Sequence, residues 1–560
     1  MKKNMVACIL LLLAFSACNK IPLTEEGQND QLSTKNTANV SAVYAPSAVY
    51  APKLDDTYNI LLNTTGYNPR FMDINEPWRK TDPNYQLGLV DSKANMIRYP
   101  GGTFANFWNY NQDKMFRKMS TNDPDGWVDL AKVENPPTYN AINADNLVLN
   151  SVSDLKYAAK GGTSGQSVNV VFHMNMVTPG YDYYKTVYPN WAAPKPGSAD
   201  LNDTWYKMLD KRYTRFKNML MRAKTGSDPI KVQFIELGNE YYFDHAYCVE
   251  AFPTGGAHGK AANYIANKLK TDPDLNLASN VRIAATASCV PGGAPGTRKG
   301  EWNNSLENTL DKNIVPYVTM HEYQAFVQPT TYNETNFQNK LVDWIASVNS
   351  DFVESGADAN FIRPATGTPW RIWYTETNAN WDGSSEGAGP VDQRTWGQSM
   401  VEAYSALHLY DRGNADIYLQ FQFNNQVRAN SDIVGGLRLY NRALALIPFM
   451  KATKDAVSGA RVSFAGTGLP TLPGSVKGVV AGYYFTTSGG AKKVCFVNLS
   501  ETNKYLNLGA NIFTGGSSTV KLEAYNNSSI GSEATPAFTS ASYTKTNVTL
   551  KPYSVSYIYQ

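Results

Sequence analysis

Charge of one sign, histidine, cysteine and long apolar runs are all scarce in this 560-residue chain, and each shortage closes off a class of function. There are 51 basic and 48 acidic residues; without the two lysines of the first seventeen residues, 49 bases face 48 acids. A net charge of +1 offers no footprint for nucleic acid and no strong field for acidic ligands. The five histidines are scattered, and no pair has metal-ligand spacing, so neither a metal nor another cofactor is expected. No G-x-S-x-G elbow is present, and no glycine-rich phosphate loop follows the first expected strand. Of the five cysteines, only Cys248, Cys289 and Cys495 lie beyond Cys18. No segment after the N-terminal leader is long and apolar enough to span a bilayer.

That leader has the three parts of an export signal, residues 1–17. Lys2 and Lys3 form the basic region, Val6 to Phe15 the apolar core, and Ser16-Ala17 the small residues before Cys18. Small residues running into a cysteine resemble the lipobox of bacterial lipoproteins. The resemblance implies lipidation of Cys18 and an outer-membrane lipoprotein on the periplasmic or cell-surface side, held to the membrane by its lipid anchor alone. Plain secretion with cleavage near the same point is the other reading. Residues 18–55 then read as a polar tether. Within them Ser41–Pro46 and Ser47–Pro52 are identical copies of SAVYAP. A proline every sixth residue argues against helix and for an extended tether or an edge strand. Two copies are too few for a solenoid.

What the chain has in quantity is aromatic and apolar residues, with 35 Tyr, 11 Trp and 42% hydrophobic residues overall. That is enough for a large core, and the length favours two domains. Between 56 and 455, apolar strands alternate with amphipathic helices. The expected strands are Tyr58–Leu62, Asn95–Tyr99, Val168–Met174, Ile230–Leu237, Val281–Ala287, Tyr317–His321, Arg371–Thr375 and Ile417–Phe423. The clearest helix spans Trp205–Ala223, where Leu209, Tyr213, Phe216, Leu220 and Ala223 recur every three or four residues. Leu341–Val353 and Trp396–Leu409 behave similarly. Eight such repeats predict an α/β fold, a (β/α)8 TIM barrel with long insertions; a doubly wound open sheet is the alternative, and the missing glycine-rich loop speaks against it. From 456 to 560 the helical signal stops, and short strands separated by Gly, Ser, Thr and Asn predict a C-terminal β-sandwich domain.

Two strands end in glutamate. Lys231–Phe243, KVQFIELGNEYYF, is apolar up to Gly238 and then presents Asn239 and Glu240. Trp370–Asn378, WRIWYTETN, places Glu376 at its far end. The C-terminal ends of parallel strands are where loops converge on an open face, so carboxyl groups there can do chemistry. Either one alone could be a solvated residue in an ordinary turn.

Together, Ile235–Glu240 on the fourth strand and Tyr374–Glu376 on the seventh resemble the acid/base and nucleophile strands of clan A glycoside hydrolases. Arg98, in Met96–Gly102, MIRYPGG, matches the clan's second-strand arginine, and His321-Glu322-Tyr323 resembles its sixth-strand His/Tyr pair. Families 51 and 79 are the most similar, with family 86 also in view. The resemblance implies a retaining hydrolase acting on a plant or algal polysaccharide or oligosaccharide. Glu240 would be the proton donor, its pKa raised by burial and by a nearby carboxylate, and Glu376 the nucleophile. Arg98 would keep Glu376 ionised, Tyr323 would position it, and Asn239 would bind a ring hydroxyl. Glu236 and Glu322 are rival carboxylates: Glu322 could face solvent or a helix, and Glu236, deeper in its strand, is expected to satisfy a backbone or Arg partner. Trp108, Trp127, Trp191, Trp302 and Trp381 follow strands and could stack on sugar, with Trp108 and Trp381 taken as substrate-binding candidates; simple loop anchors are the alternative. Cys248 and Cys289 sit after neighbouring strands, either bridged or as two buried thiols, and Cys495 is expected in the sandwich core. The sequence sets no oligomeric state. A non-catalytic carbohydrate-binding lipoprotein of a glycan-uptake system is the competing function, although such a protein has no reason to carry both Glu240 and Glu376.

Overall fold

In a computed structural model, the residues described are 49–55, 58–59, 65–68, 83–102, 105–106, 108–110, 114–115, 152–160, 167–176, 203–244, 246–288, 296–323, 335–336, 339, 370–378, 395–410, 415–421, 427, 439–465, 467, 480–532 and 534–560. The leader, Cys18 and the first SAVYAP copy lie outside the described residues, as does the helix expected over Leu341–Val353.

Eight parallel strands close into a barrel. In chain order they are Thr65–Asn68, Met96–Tyr99, Asn169–Met174, Phe234–Leu237, Arg282–Thr286, Tyr317–Tyr323, Arg371–Asn378 and Ala415–Phe421. Strand side chains alternate between the two faces of a sheet. Inside the barrel that alternation gathers Met96, Val171, Phe234, Ala284, Trp373, Ile417 and Leu419 into a separate apolar cluster. The intervening residues, such as Ile97, Phe172, Ile235 and Tyr374, join the large core outside. Both faces are therefore covered, which is why these strands read as nearly continuous apolar runs.

Seven expected strands are found within a few residues of their anticipated bounds, and the first is not. Tyr58–Asn59 pairs with Ala456–Ser463 in the C-terminal sheet, whereas the first barrel strand is Thr65–Asn68, TGYN. A four-residue strand containing glycine has almost no β signature, so the neighbouring Tyr-Asn-Ile-Leu-Leu run outweighed it. The amphipathic helix runs Asp203–Lys224 and buries all five anticipated positions. Each large apolar side chain so buried contributes roughly 1.5–3 kcal/mol. The helix Gly255–Thr271 escaped the sequence reading because four of its residues are small or glycine at the start, GGAHG. Those glycines serve packing: a Cβ at Gly259 would stand 2.3 Å from Thr309 Oγ1 of the neighbouring segment.

The C-terminal region contains a large antiparallel sheet and a three-stranded one. Val494 and Phe496 face the core shared with Leu506, Val548 and Leu550, while Cys495 and Val497 face the barrel's helices. Cys495 is thus a buried core residue, and burial pushes its thiol well up. Val49–Tyr50, in the second SAVYAP copy, pairs in parallel with Lys504–Leu506, and Lys53–Leu54 pairs with Ala456–Ser463. The end of the segment read as tether thus takes the edge-strand form. Helices Trp396–Tyr410 and Asn441–Thr453 carry Tyr410 and Phe449 against Phe485 of the large sheet.

Candidate active site

The period of two that builds the apolar floor also builds the layer above it. Two residues beyond Met96, Val171, Phe234 and Trp373 come Arg98, His173, Glu236 and Thr375, all buried. On the seventh strand the register then slips. Met320 pairs with Tyr374 but His321 with Glu376, leaving Thr375 as an extra residue. A bulge of this kind re-aims a side chain, and it lets two consecutive residues reach polar partners inside. Thr375 Oγ1 donates to Glu236 Oε1 at 2.9 Å, and Arg98 Nη1 donates to Glu376 Oε1 at 2.5 Å.

Arg98 is the hub. Its Nε donates to Glu236 Oε2 at 2.6 Å and its Nη2 to Asn239 Oδ1 at 2.7 Å, so one guanidinium binds three groups with no solvent exposure. Burial opposes its charge, but the carboxylates of Glu236 and Glu376 outweigh this and raise its pKa. Burial likewise works against an ionised Glu236, yet Arg98 and then His321 hold that carboxyl down at about 2. A buried ion pair broken on one side typically costs about 3–5 kcal/mol, so neither partner is dispensable. His173 is pushed down to about 3, chiefly by burial and then by Arg98, and stays neutral.

The turn after the fourth strand sets Glu240. Gly238 has φ 94°, and a Cβ there would lie 2.0 Å from the ring of Tyr241, so only glycine fits. Glu240 itself has φ 52°, a left-handed conformation costing on the order of 1–3 kcal/mol that the surroundings must hold. Asn106 Nδ2 donates to the carbonyl of Asn239 at 2.8 Å. Asn239 Nδ2 at 3.4 Å and Tyr242 Oη at 3.5 Å donate to the Glu240 carboxylate. The Glu240 side chain is 14% exposed against 4% for Glu376, which makes Glu240 the more open of the two.

His321 joins the carboxyls. Its Nδ1 lies 3.0 Å from Glu240 Oε1 and 3.5 Å from Glu376 Oε2. Burial favours the neutral ring, but Glu376, Glu236 and Glu240 overcome it and hold its pKa up at about 9. The ring is therefore a cation at neutral pH. One oxygen from each glutamate and a ring nitrogen all lie within 4.8 Å of one another. That spacing would also suit a divalent cation, and Glu240, His321 and Glu376 are the residues that would hold one. Chemically, the arrangement offers one carboxylate fixed by arginine and a second, more accessible carboxyl across a short gap.

No family model and no curated protein matches the sequence. Solved structures do match. The fold is shared with family 51 glycoside hydrolases. A family 51 α-L-arabinofuranosidase from Bifidobacterium longum aligns with TM-score 0.55 and 14% identity, over 92% of this chain and 100% of that one. The GH51 arabinofuranosidase from Xanthomonas axonopodis pv. citri gives TM-score 0.51 and 12% identity, over 92% and 100%. A 4-O-α-L-rhamnosyl-β-D-glucuronidase from Fusarium oxysporum 12S gives TM-score 0.50 and 14% identity, again over 92% and 100%. At such identities the likeness is one of fold, a TIM barrel with a β-rich domain.

The structure brings Arg98, Asn239, Glu240, His321 and Glu376 together. Tyr323 lies on the sixth strand, paired with Asn378, and Trp108 on a short strand; their side chains lie outside the described set. Trp127, Trp191, Trp381 and Cys289 also lie outside the described residues, and Cys248 is buried. Trp302 is no sugar platform: it is 1% exposed, and its indole N–H donates to the carbonyl of Thr286. Glu236, a rival carboxylate expected to satisfy a backbone or Arg partner from deeper in its strand, is the second anchor of Arg98. The alternation Phe234–Glu236 was its available signal. Asn106 and Tyr242 carried none, because their contacts depend on loop geometry.

Proposed function

We propose that this chain is a retaining glycoside hydrolase acting by double displacement on a plant or algal polysaccharide or oligosaccharide. One observation carries the reading: the Glu240 and Glu376 carboxylates converge on His321 Nδ1, at 3.0 and 3.5 Å, at the C-terminal mouth of a barrel. A retaining pair stands about 5–5.5 Å apart and an inverting pair about 6.5–9.5 Å, with room for water. One oxygen of each carboxyl approaches the other within 4.8 Å, which supports the first reading.

Glu376 is the nucleophile: Arg98 Nη1 donates to its Oε1 and His321 Nδ1 lies against its Oε2, fixing the carboxyl that attacks the anomeric carbon. Glu240 is the acid, protonating the leaving oxygen and afterwards taking a proton from the incoming water. Asn239, held by Arg98 and beside Glu240, is the proposed partner of a sugar hydroxyl. Tyr323, Trp108 and Trp381 remain the proposed contributors to the sugar subsite. A non-catalytic binding protein would gain nothing from two glutamates brought this close around one histidine. The lipid anchor on Cys18, in the outer membrane, is part of the same proposal, since export puts the enzyme where polysaccharides are met.

The test is a panel of aryl glycosides and plant or algal polysaccharides offered to the purified protein. Arabinofuranosides and glucuronides come first, because the fold neighbours are named for those activities. Release of aglycone or reducing sugar supports the reading. Binding to a polysaccharide without any release would favour the non-catalytic alternative.

A further inference from the structure

We propose that Arg298 is a positioning residue that locks the turn bearing Glu240 in its working geometry, an inference that rests on the glycosidase reading. Arg298 opens the helix Arg298–Glu307 beyond the fifth barrel strand, with Thr297 as N-cap. It touches no carboxyl of the site. Its guanidinium instead donates four hydrogen bonds to main-chain oxygens of the segment that follows Glu240. Nε reaches the carbonyl of Phe243 at 3.2 Å, and Nη2 those of Tyr241 at 2.5 Å and Cys248 at 3.3 Å. Nη1 donates to the carbonyl of Pro253. One side chain thus ties four points between 241 and 253 to the neighbouring βα unit.

The clamp is itself braced. The guanidinium lies over the face of Trp302, 4.8 Å from the ring centroid. Trp302 is pinned by its hydrogen bond to Thr286 and stacks on His258 at 5.7 Å. His258 meets the edge of Tyr241, and Tyr241 is the ring that fills the space beside Gly238. Burial lowers the pKa of Arg298 only to about 10, so it stays charged. The left-handed backbone at Glu240 explains the need: such a residue keeps its conformation only where its surroundings over-determine it. The first carbonyl that Arg298 grips belongs to Tyr241, the very next residue. Lysine can substitute only in part, because a point charge lacks the planar fork that serves several acceptors at once.

Because Arg298 acts on the acid and not on the nucleophile, its loss has a signature. In Arg298→Met, kcat/KM on a substrate with a poor leaving group is expected to fall on the order of 10²-fold, the scale of a displacement of about 1 Å. The rate on an activated aryl glycoside, which needs little protonation, should change much less, as it should for Glu240→Ala. Arg298→Lys should fall between Arg298→Met and wild type, and it carries the test if the Met variant does not fold. A crystal structure of the variant should find the Glu240 carboxylate displaced from its 3.0 Å contact with His321. Equal losses on both substrate classes with that contact intact, or no loss at all, would overturn the proposal. A wild-type protein inert on every glycoside would overturn the functional reading alone, and the position of Glu240 in the variant crystal would still decide the role of Arg298.

Discussion

The floor and the upper layer of the barrel are built by the same strands, two residues apart, and they are chemically opposite. Below, Met96, Val171, Phe234 and Trp373 are apolar and pack in one cluster with Ala284, Ile417 and Leu419, with Tyr317 against it. Above, Arg98, His173, Glu236 and Thr375 are polar, just as buried, and the charged pair among them is tied by a direct ion pair. A floor of that kind contributes stability through area removed from water. A buried ionic layer contributes little net stability and is strongly destabilised when half of it is removed. The difference teaches where the chain places its chemistry: it accepts poor packing value in the layer from which a barrel's active groups project.

Breaking the upper layer should therefore cost activity directly, in addition to the destabilisation that a half-removed ion pair brings. Glu376→Ala is expected to reduce turnover on the order of 10⁴-fold or more, the scale of losing a covalent nucleophile. Azide should restore part of the rate on an activated aryl glycoside by entering the vacated space. Steady-state kinetics with and without azide would check this, and a near-wild-type rate without azide would remove Glu376 from the mechanism. The same substitution in the floor should act through stability. Trp373 is fully buried between Phe234 and Tyr317. Trp373→Ala should destabilise by about 3–5 kcal/mol, read from denaturant unfolding. If it unfolds no earlier than wild type, the floor is not a packed core.

Histidines sharpen the same contrast through pH. His258 sits among Tyr241, Phe252 and Trp302, with its Nε2 accepting from the backbone N–H of Thr286. Burial, aided by Arg298, holds its pKa down at about 3. Its folded pKa lies below the unfolded value of about 6.5, so the unfolded state binds more protons between those values. The stability it contributes is whole above pH 6.5 and is lost as pH falls toward 3. His321 has the opposite sign. Raised to about 9, it contributes fully below pH 6.5 and loses that contribution as pH rises toward 9. Melting temperature should therefore peak near pH 6.5, and His321→Gln should flatten only the alkaline side. An alkaline limb unchanged in that variant would mean the ring is not held as a cation.

Much of this was legible in the sequence for a simple reason. Strands buried on both faces announce themselves as apolar runs, and Glu240 and Glu376 stand where those runs stop. Arg98 was legible too, through the MIRYPGG stretch. The first barrel strand was not, since Thr65–Asn68 draws its place from neighbours on both sides and little from its own residues. Arg298 was invisible for a different cause. Its partners are carbonyl oxygens, which every residue has, so no side-chain pattern marks them. The bulge at Thr375 is also unreadable, because a slip of register leaves the sequence alternation untouched until the partner strand is known.

The central claim is that Glu240 and Glu376 form a retaining pair, and the anomer first released tests it most directly. Proton NMR during the opening minutes of hydrolysis, on whichever aryl glycoside the protein cleaves, separates the two product anomers before they equilibrate. The account predicts that the first product keeps the substrate's anomeric configuration. An inverted first product would mean that water attacks directly, and that the 4.8 Å cluster of Glu240, His321 and Glu376 is not a nucleophile facing its acid.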